Sequence, residues 1–182
     1  MPVYDTNGDY TNYASSTLGS TLGFESMANP VDILNNQKRM NYNTQIFGNA
    51  TFTFHLLPGL DLKTVLGVDA HKKNYKYYSS VHLVNLSSPN GYAELSNTNT
   101  TFWQEETYLN YNKTFGKHRI NTMAGLSWQE RIYDYAGMNN NGYSDDFFEY
   151  NNMGAAKNLN SMSSDWSRWA MNSYFVRGAY TY

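Results

Sequence analysis

Between Asn41 and Tyr78 the apolar residues fall on every second position, on both sides of a Pro-Gly corner. Tyr42, Thr44, Ile46, Gly48, Ala50, Phe52, Phe54 and Leu56 make one series. Asn43, Gln45, Phe47, Asn49, Thr51, Thr53 and His55, polar apart from Phe47, fill the gaps. After Leu57-Pro58-Gly59-Leu60 the pattern resumes, with Leu62, Thr64, Leu66, Val68 and Ala70 set against Asp61, Lys63, Val65, Gly67, Asp69 and His71. A period of two is the signature of a strand, and two such runs about a Pro-Gly corner predict a hairpin. One apolar and one polar face sustained over long strands is what a transmembrane β-barrel requires, with lipid on one side and a wet lumen on the other.

The composition agrees with that pattern. Aromatics reach 16%, which favours strands, while charged residues are only 15%, low for a soluble surface. Mean hydropathy is −0.64, a low average that an alternating barrel produces and a helical membrane protein does not. No stretch approaches the roughly 20 apolar residues of a membrane helix. A net charge of −2 gives no sign of a nucleic-acid partner. With no cysteine, disulfide scaffolds and thiolate metal sites are excluded. Met1-Pro2-Val3-Tyr4-Asp5 runs straight into polar turn residues with no signal peptide. An outer-membrane protein must be exported, so the chain is expected to be a piece of a longer one.

Five strands are expected, sequential neighbours paired antiparallel: about Met40 to Leu56, Asp61 to Tyr78, Thr101 to Thr114, Lys117 to Tyr135 and Ser167 to Tyr182. Met1 to Arg39, Ser79 to Thr100 and Ala136 to Asp165 read as long Asn/Gly/Ser-rich loops, the second centred on Ser87-Ser88-Pro89-Asn90-Gly91, with a short helical turn conceivable over Val31 to Leu34. The tight turns at Pro58-Gly59 and Gly116-Lys117 alternate with these long connections, as periplasmic turns and extracellular loops do in outer-membrane barrels. Tyr42, Phe54, Trp103, Tyr111, Trp128, Tyr174 and Tyr182 sit where an aromatic girdle would, although aromatics also simply favour strands. Alternation assigns Ile46, Phe52, Phe54, Leu62, Leu66, Val68, Leu109, Ala124, Leu126 and Val176 to lipid. It assigns Asn43, Gln45, Thr53, Lys63, Asp69, Asn110, Asn121, Gln129 and Arg177 to the lumen. Glu105 falls in the apolar series and is expected above the hydrocarbon band. Five strands cannot close a barrel whose smallest bacterial form has about eight. The fold class is therefore all-β, an antiparallel meander cut from a large transmembrane barrel, with residues 1–39 as an extracellular-type loop and 40–182 as partial barrel.

Several runs resemble the barrel of SusC/RagA-type TonB-dependent receptors of Bacteroidetes. They are Asn49-Ala50-Thr51-Phe52-Thr53-Phe54, Leu57-Pro58-Gly59-Leu60-Asp61-Leu62-Lys63-Thr64 and Leu66-Gly67-Val68-Asp69. Trp103-Gln104-Glu105-Glu106, Leu109-Asn110-Tyr111, His118-Arg119-Ile120-Asn121, Gly125-Leu126-Ser127-Trp128-Gln129 and Ser173 to Tyr182 extend the likeness, which covers most of the chain from Asn29 onward. The resemblance implies a barrel of about 22 strands around an N-terminal plug. It also implies a place in the cell outer membrane and import of oligosaccharides or peptides, with a SusD-like lipoprotein outside and TonB inside. Plug, TonB box, signal sequence and barrel C-terminus are not found here, so function is expected to belong to a parent protein.

No catalytic constellation is present, and an enzyme is not expected. His55, His71, His82 and His118 are scattered, and no nucleophile elbow or phosphate loop occurs. No cofactor or metal is expected. Asp5-Thr6-Asn7-Gly8-Asp9 fails as a calcium loop, with Tyr10 where Gly and Ser16 where Glu should stand, and reads as an Asx-turn. Asp145, Asp146 and Glu149 read as a solvated acidic loop before a calcium site. Asn49-Ala50-Thr51 and Asn99-Thr100-Thr101 match glycosylation sequons that an Asn/Thr-rich chain produces by chance. The alternative to a receptor segment is a soluble carbohydrate-binding β-protein, with Trp and Tyr stacking on sugars. Such a sheet would need a second layer over its apolar face.

Overall fold

Both Pro-Gly-type corners turn where glycine permits a left-handed backbone. Gly59 has φ +87° and Gly116 has φ +59°, values that cost an L-residue its Cβ clearance. A computed structural model describes residues 3–11, 29–83 and 90–182. Helix α1 (Pro30–Asn36) is followed by strands β1 (Gln37–Leu57), β2 (Leu60–Ser79), β3 (Tyr92–Phe115), β4 (His118–Asn141) and β5 (Asn158–Thr181). Two single-turn 3-10 helices, Glu149–Asn151 and Met153–Ala155, lie between β4 and β5. The strands form one antiparallel sheet in the order β1-β2-β3-β4-β5. This is the sequential pairing that the alternation predicts.

The strands run longer than their apolar alternation. β3, β4 and β5 each have 24 residues, where a tilted strand needs about 9–11 to cross a bilayer. Tyr92–Thr100, Ala136–Asn141 and Asn158–Asp165, expected as loop, are strand, and β1 already begins at Gln37. These extensions are largely polar, as in Ser96-Asn97-Thr98-Asn99, with Leu95, Leu159 and Met162 as isolated apolar residues. Backbone pairing holds them, so no period of two in hydrophobicity marks them. The Ser87-Ser88-Pro89 centre of the second loop lies outside the described residues. Asn90 (φ 64°) and Gly91 (φ 74°) turn the chain into β3.

The chain divides into two compact units, each taking part of every strand: residues 1–42, 73–97 and 135–164, and residues 43–72, 98–134 and 165–182. The first gathers the long connections and the second holds both tight turns. In the first unit, the helical turn expected near Val31 is α1. Pro30 stands at its start, and Asn29 Oδ1 accepts from the Val31 N–H at 3.1 Å. Asn29 Nδ2 in turn donates to the Val3 carbonyl at 2.9 Å. The Asp5 carboxylate accepts from the N–H groups of Asn7 (2.8 Å) and Asp9 (3.0 Å), the Asx-turn expected there.

Candidate functional site

In the second unit, contacts separate the two sides of the sheet. Gln45 Nε2 donates to Asp69 Oδ1 at 2.9 Å, and Lys63 Nζ stands 5.9 Å from the centre of the Tyr108 ring. Tyr108 and Phe175 meet at 6.2 Å across β4, where Gly125 leaves room. A Cβ at Gly125 would collide with the Tyr108 Cβ and lie 2.7 Å from Phe175 Cζ. Phe102 and Trp169 meet in the same way at 6.2 Å. Every one of these residues belongs to the series read as polar, or to its partner series on the next strand. The other series makes its own contacts. Thr64 and Thr107 hydroxyls are 3.0 Å apart, and Trp103 stacks on Trp128 at 6.2 Å. Apolar residues of this series are open to solvent, among them Ile46 at 66% and Val176 at 84%. Lys63–Tyr108, Thr64–Thr107 and Gly67–Gln104 all fall in one β2–β3 register.

In the first unit the segment from Gly142 to Lys157 folds as a compact loop with its ends together. The Lys157 N–H donates to the Gly142 carbonyl at 3.0 Å. This is the Ω-loop arrangement, closed at the base and packed by its own side chains. Tyr143 joins Tyr78 and Ala93 in a small buried core, with Val81, Tyr150, Met153 and Ala156 packed against it. Asp146 ties the loop to the end of β2. It accepts from Tyr78 OH (2.7 Å), Ser80 Oγ (2.6 Å) and the Val81 N–H (2.8 Å). Burial alone would raise this carboxyl, but the three hydrogen bonds outweigh it and hold the group below its ordinary value. Burial first, and then the carboxylate beside it, push the Tyr78 hydroxyl well above the usual phenol range. Glu149 pairs with Lys38, Lys76 Nζ lies 5.3 Å from the Tyr150 ring centre, and Tyr150 OH reaches Met40 Sδ at 3.3 Å. Asp145 accepts from the Phe147 N–H at 2.9 Å. All three carboxylates of the acidic loop are thus engaged by protein donors.

These features can be set against known proteins. TonB-dependent receptor P39 of Formosa agariphila is 31% identical over 150 residues, covering 79% of this chain and 14% of that protein. The chain belongs with the TonB-dependent receptors, as a stretch of their β-barrel. A second receptor of the same organism, P3, is 24% identical over 130 residues, covering 71% of the chain and 12% of that protein. The receptor segment therefore spans only a small part of the length of either relative. The structure of the RagAB peptide transporter superposes with a TM-score of 0.78 at 19% identity, over 99% of this chain and 20% of that one. The RagAB peptide importer in its open-open state matches equally. No protein-family model matches the chain.

Within the receptor segment, the residues read from alternation fall on the strands as expected. Ile46, Phe52 and Phe54 lie on β1, Leu62, Leu66 and Val68 on β2, Leu109 on β3, Ala124 and Leu126 on β4, and Val176 on β5. Of the opposite set, side-chain contacts join Gln45 to Asp69 and Lys63 to Tyr108. Asn43, Thr53, Asn110, Asn121, Gln129 and Arg177 follow from alternation along the same strands. Glu105 Oε1 accepts from Thr107 Oγ1 at 3.2 Å. Sequence reasoning missed two features. One is the Glu130–Arg168 ion pair, whose Glu130 side chain is 7% exposed. Its only signal is that Glu130 and Arg168 continue the series of Trp128 and Val176. The other is the anchoring role of Asp146, which depends on Tyr78 and Ser80, more than sixty residues earlier in the chain.

Proposed function

We propose that this segment forms part of the wall of an outer-membrane receptor that imports oligosaccharides or other nutrients, working with a SusD-like lipoprotein outside and TonB inside. The Ile46–Leu66–Val176 series faces lipid in this reading, and the Gln45–Lys63–Asp69 series faces the lumen. The observation that carries it is the separation of two sets of contacts: one joins Gln45 to Asp69 and Lys63 to Tyr108, while the other, interrupted by the Thr64–Thr107 hydroxyls, Glu105 and the Glu130–Arg168 ion pair, presents mainly aliphatic and aromatic side chains. An apolar series open to this degree is costly in water and favourable in hydrocarbon. It speaks against the soluble carbohydrate-binding alternative, because among the described residues no second layer covers it. The full-length receptor is expected in the outer-membrane fraction, extractable only with detergent. Recovery in the soluble fraction as a folded protein would remove this reading.

The cap of residues 142–157 belongs to the outward side in the same proposal. Phe147 and Phe148, just before the first 3-10 turn, meet edge to face at 4.8 Å, with Phe147 82% exposed. Pinned between the anchors at Asp146 and Glu149, the pair is a preorganised surface for the lid lipoprotein or the nutrient.

A further inference from the structure

Among the described residues, the strand side chains that fasten the cap all come from one side of the sheet. Glu149 pairs with Lys38, Tyr150 OH reaches Met40 Sδ, and the Tyr150 ring faces Lys76 Nζ. Tyr78 donates to Asp146, Tyr143 packs on Tyr78 and Ala93, and Asn140 Nδ2 donates to the Met153 carbonyl. Side chains alternate along a strand. Lys38 and Met40 therefore share the side of Ile46, Lys76 and Tyr78 that of Leu66, Ala93 that of Leu109, and Asn140 that of Leu126. This is the series read as facing lipid. On the opposite series, Gln37, Arg39, Tyr77 and Tyr92 contact one another. The contact at Met40 lies two residues, about 7 Å, along β1 from Tyr42, the residue placed at the girdle. A headgroup layer is about 5–7 Å deep. Beside the cap, Tyr42, Asn74, Lys76, Leu95 and Asn97 line a recess of about 420 Å³. A second, of about 320 Å³, continues from Leu95 and Asn97 to Met138 and Met162. The floor of the first is β2 and β3, which have β1 and β4 paired on either side, so it lies in the interior of the sheet.

We propose that this recess receives the anionic headgroup of an outer-leaflet lipid and so ties the cap to the membrane. No carboxylate lines either recess. Lys38 is occupied by Glu149 and Asp146 by its three donors, whereas Lys76 has no carboxylate partner among the described residues. An ammonium held at headgroup depth on the lipid side of a wall attracts anionic lipid. Lys76 supplies the charge for a phosphate, and the amides of Asn74 and Asn97 donate to its oxygens. Leu95, Met138 and Met162 border the first methylenes of the acyl chains. A free anion would use Lys76 and the amides and leave this apolar border without a partner. The Tyr150 ring, 5.3 Å from Lys76 Nζ, couples the bound headgroup to the cap. The proposal rests on the receptor reading, and it concerns the recess and not the Phe147–Phe148 pair.

The test is amide hydrogen exchange of residues 142–157 in the full-length receptor, held in nanodiscs of phosphatidylcholine alone or of phosphatidylcholine with phosphatidylglycerol. One lysine near an anionic surface favours the bound state by about fivefold, so cap exchange is expected to slow by about that factor in the anionic discs. Lys76→Gln should abolish the difference between the two discs and Lys76→Arg should keep it, while Lys63→Gln, on the opposite series, leaves it unchanged. Each variant is compared with itself in two lipids, so a cap loosened by loss of the Tyr150 contact cancels. Heat-modifiable migration in gels verifies that each variant is assembled, and Asn97→Ala serves if Lys76→Gln is not. Equal cap exchange of the wild type in both discs overturns the proposal. So does a difference that survives Lys76→Gln, or equal slowing by inorganic phosphate in phosphatidylcholine discs, which would mark a site for a free anion. Outer-membrane fractionation is read separately, so the lipid site can fail while the receptor reading stands.

Discussion

Replacing Asp146 by Ala removes the acceptor shared by Tyr78 OH, Ser80 Oγ and the Val81 N–H. Tyr78 is 2% exposed and Ser80 5%, so water does not readily take the vacated place. A hydrogen bond to a charged acceptor is worth about 1.5–3 kcal/mol. Because one carboxylate serves all three donors and its side chain is 32% exposed, their sum is discounted to about 3 kcal/mol. At 1.4 kcal/mol per decade that is on the order of 100-fold in the opening equilibrium of the cap. Amide hydrogen exchange of residues 142–157 in the full-length receptor reads it directly, with turns at Gly59 and Gly116 as internal controls. The pH dependence has a definite sign. The folded carboxyl is held below its ordinary value of 3.8, so the anchor is complete above that range and is lost as pH falls through the depressed value. His82 at 3.9 Å adds attraction only when protonated. After correction for intrinsic rates, wild-type cap exchange should accelerate below about pH 4, and Asp146→Ala should lack that acceleration. Equal exchange of the cap in wild type and Asp146→Ala at neutral pH would refute the reasoning.

Other substitutions separate local causes. Gly59→Ala must adopt φ +87° and drives its Cβ into the Asn112 carbonyl, so it should cost upwards of about 2 kcal/mol. Gly116→Ala at φ +59° meets open space and should cost only about 1–2 kcal/mol; urea midpoints of the two variants compare them. Arg168→Ala leaves the Glu130 carboxylate covered and unpaired, an expected loss of about 3 kcal/mol, and adding Glu130→Gln should recover part of it in the same assay. Leu66→Arg should cost about 2–4 kcal/mol if the residue lies at the membrane midplane, and Thr53→Arg far less, measured by folding into lipid vesicles. Deleting Gly142 to Lys157 uncovers Tyr78 and Ala93; the barrel should still assemble, with nutrient capture or lid association reduced, and wild-type uptake with normal lid association would contradict the role given to the cap.

The legible part of the fold was the part under two-sided constraint. Where one face needs apolar groups and the other tolerates polar ones, as from Tyr42 to Leu56 and Leu62 to Ala70, the period of two is written in the residues themselves. The extensions at Tyr92–Thr100 and Asn158–Asp165 carry no such constraint, so Ser, Thr and Asn there read as loop although they are strand. Glycines at 59 and 116 were legible as turns because the left-handed backbone selects them. The cap was not, since its closure depends on Asp146 meeting Tyr78 and Ser80 from a distant strand end. The contact of Phe102 with Trp169 was likewise hidden. Each residue was visible alone, but their alignment needs the register of neighbouring strands.

The central claim is that one series of side chains faces lipid and the other a wet lumen. This chain has no cysteine of its own to remove before single-cysteine scanning. Cysteines placed in turn at Thr53, Phe54, Leu62, Lys63, Leu66 and Asp69 of the full-length receptor in native membranes would carry a fluorophore, quenched either by a lipid-borne nitroxide or by aqueous iodide. The prediction is strict alternation, with 54, 62 and 66 quenched from the lipid and 53, 63 and 69 from water. Quenching that does not alternate, or a lipid signal at 53, 63 and 69, would contradict the account.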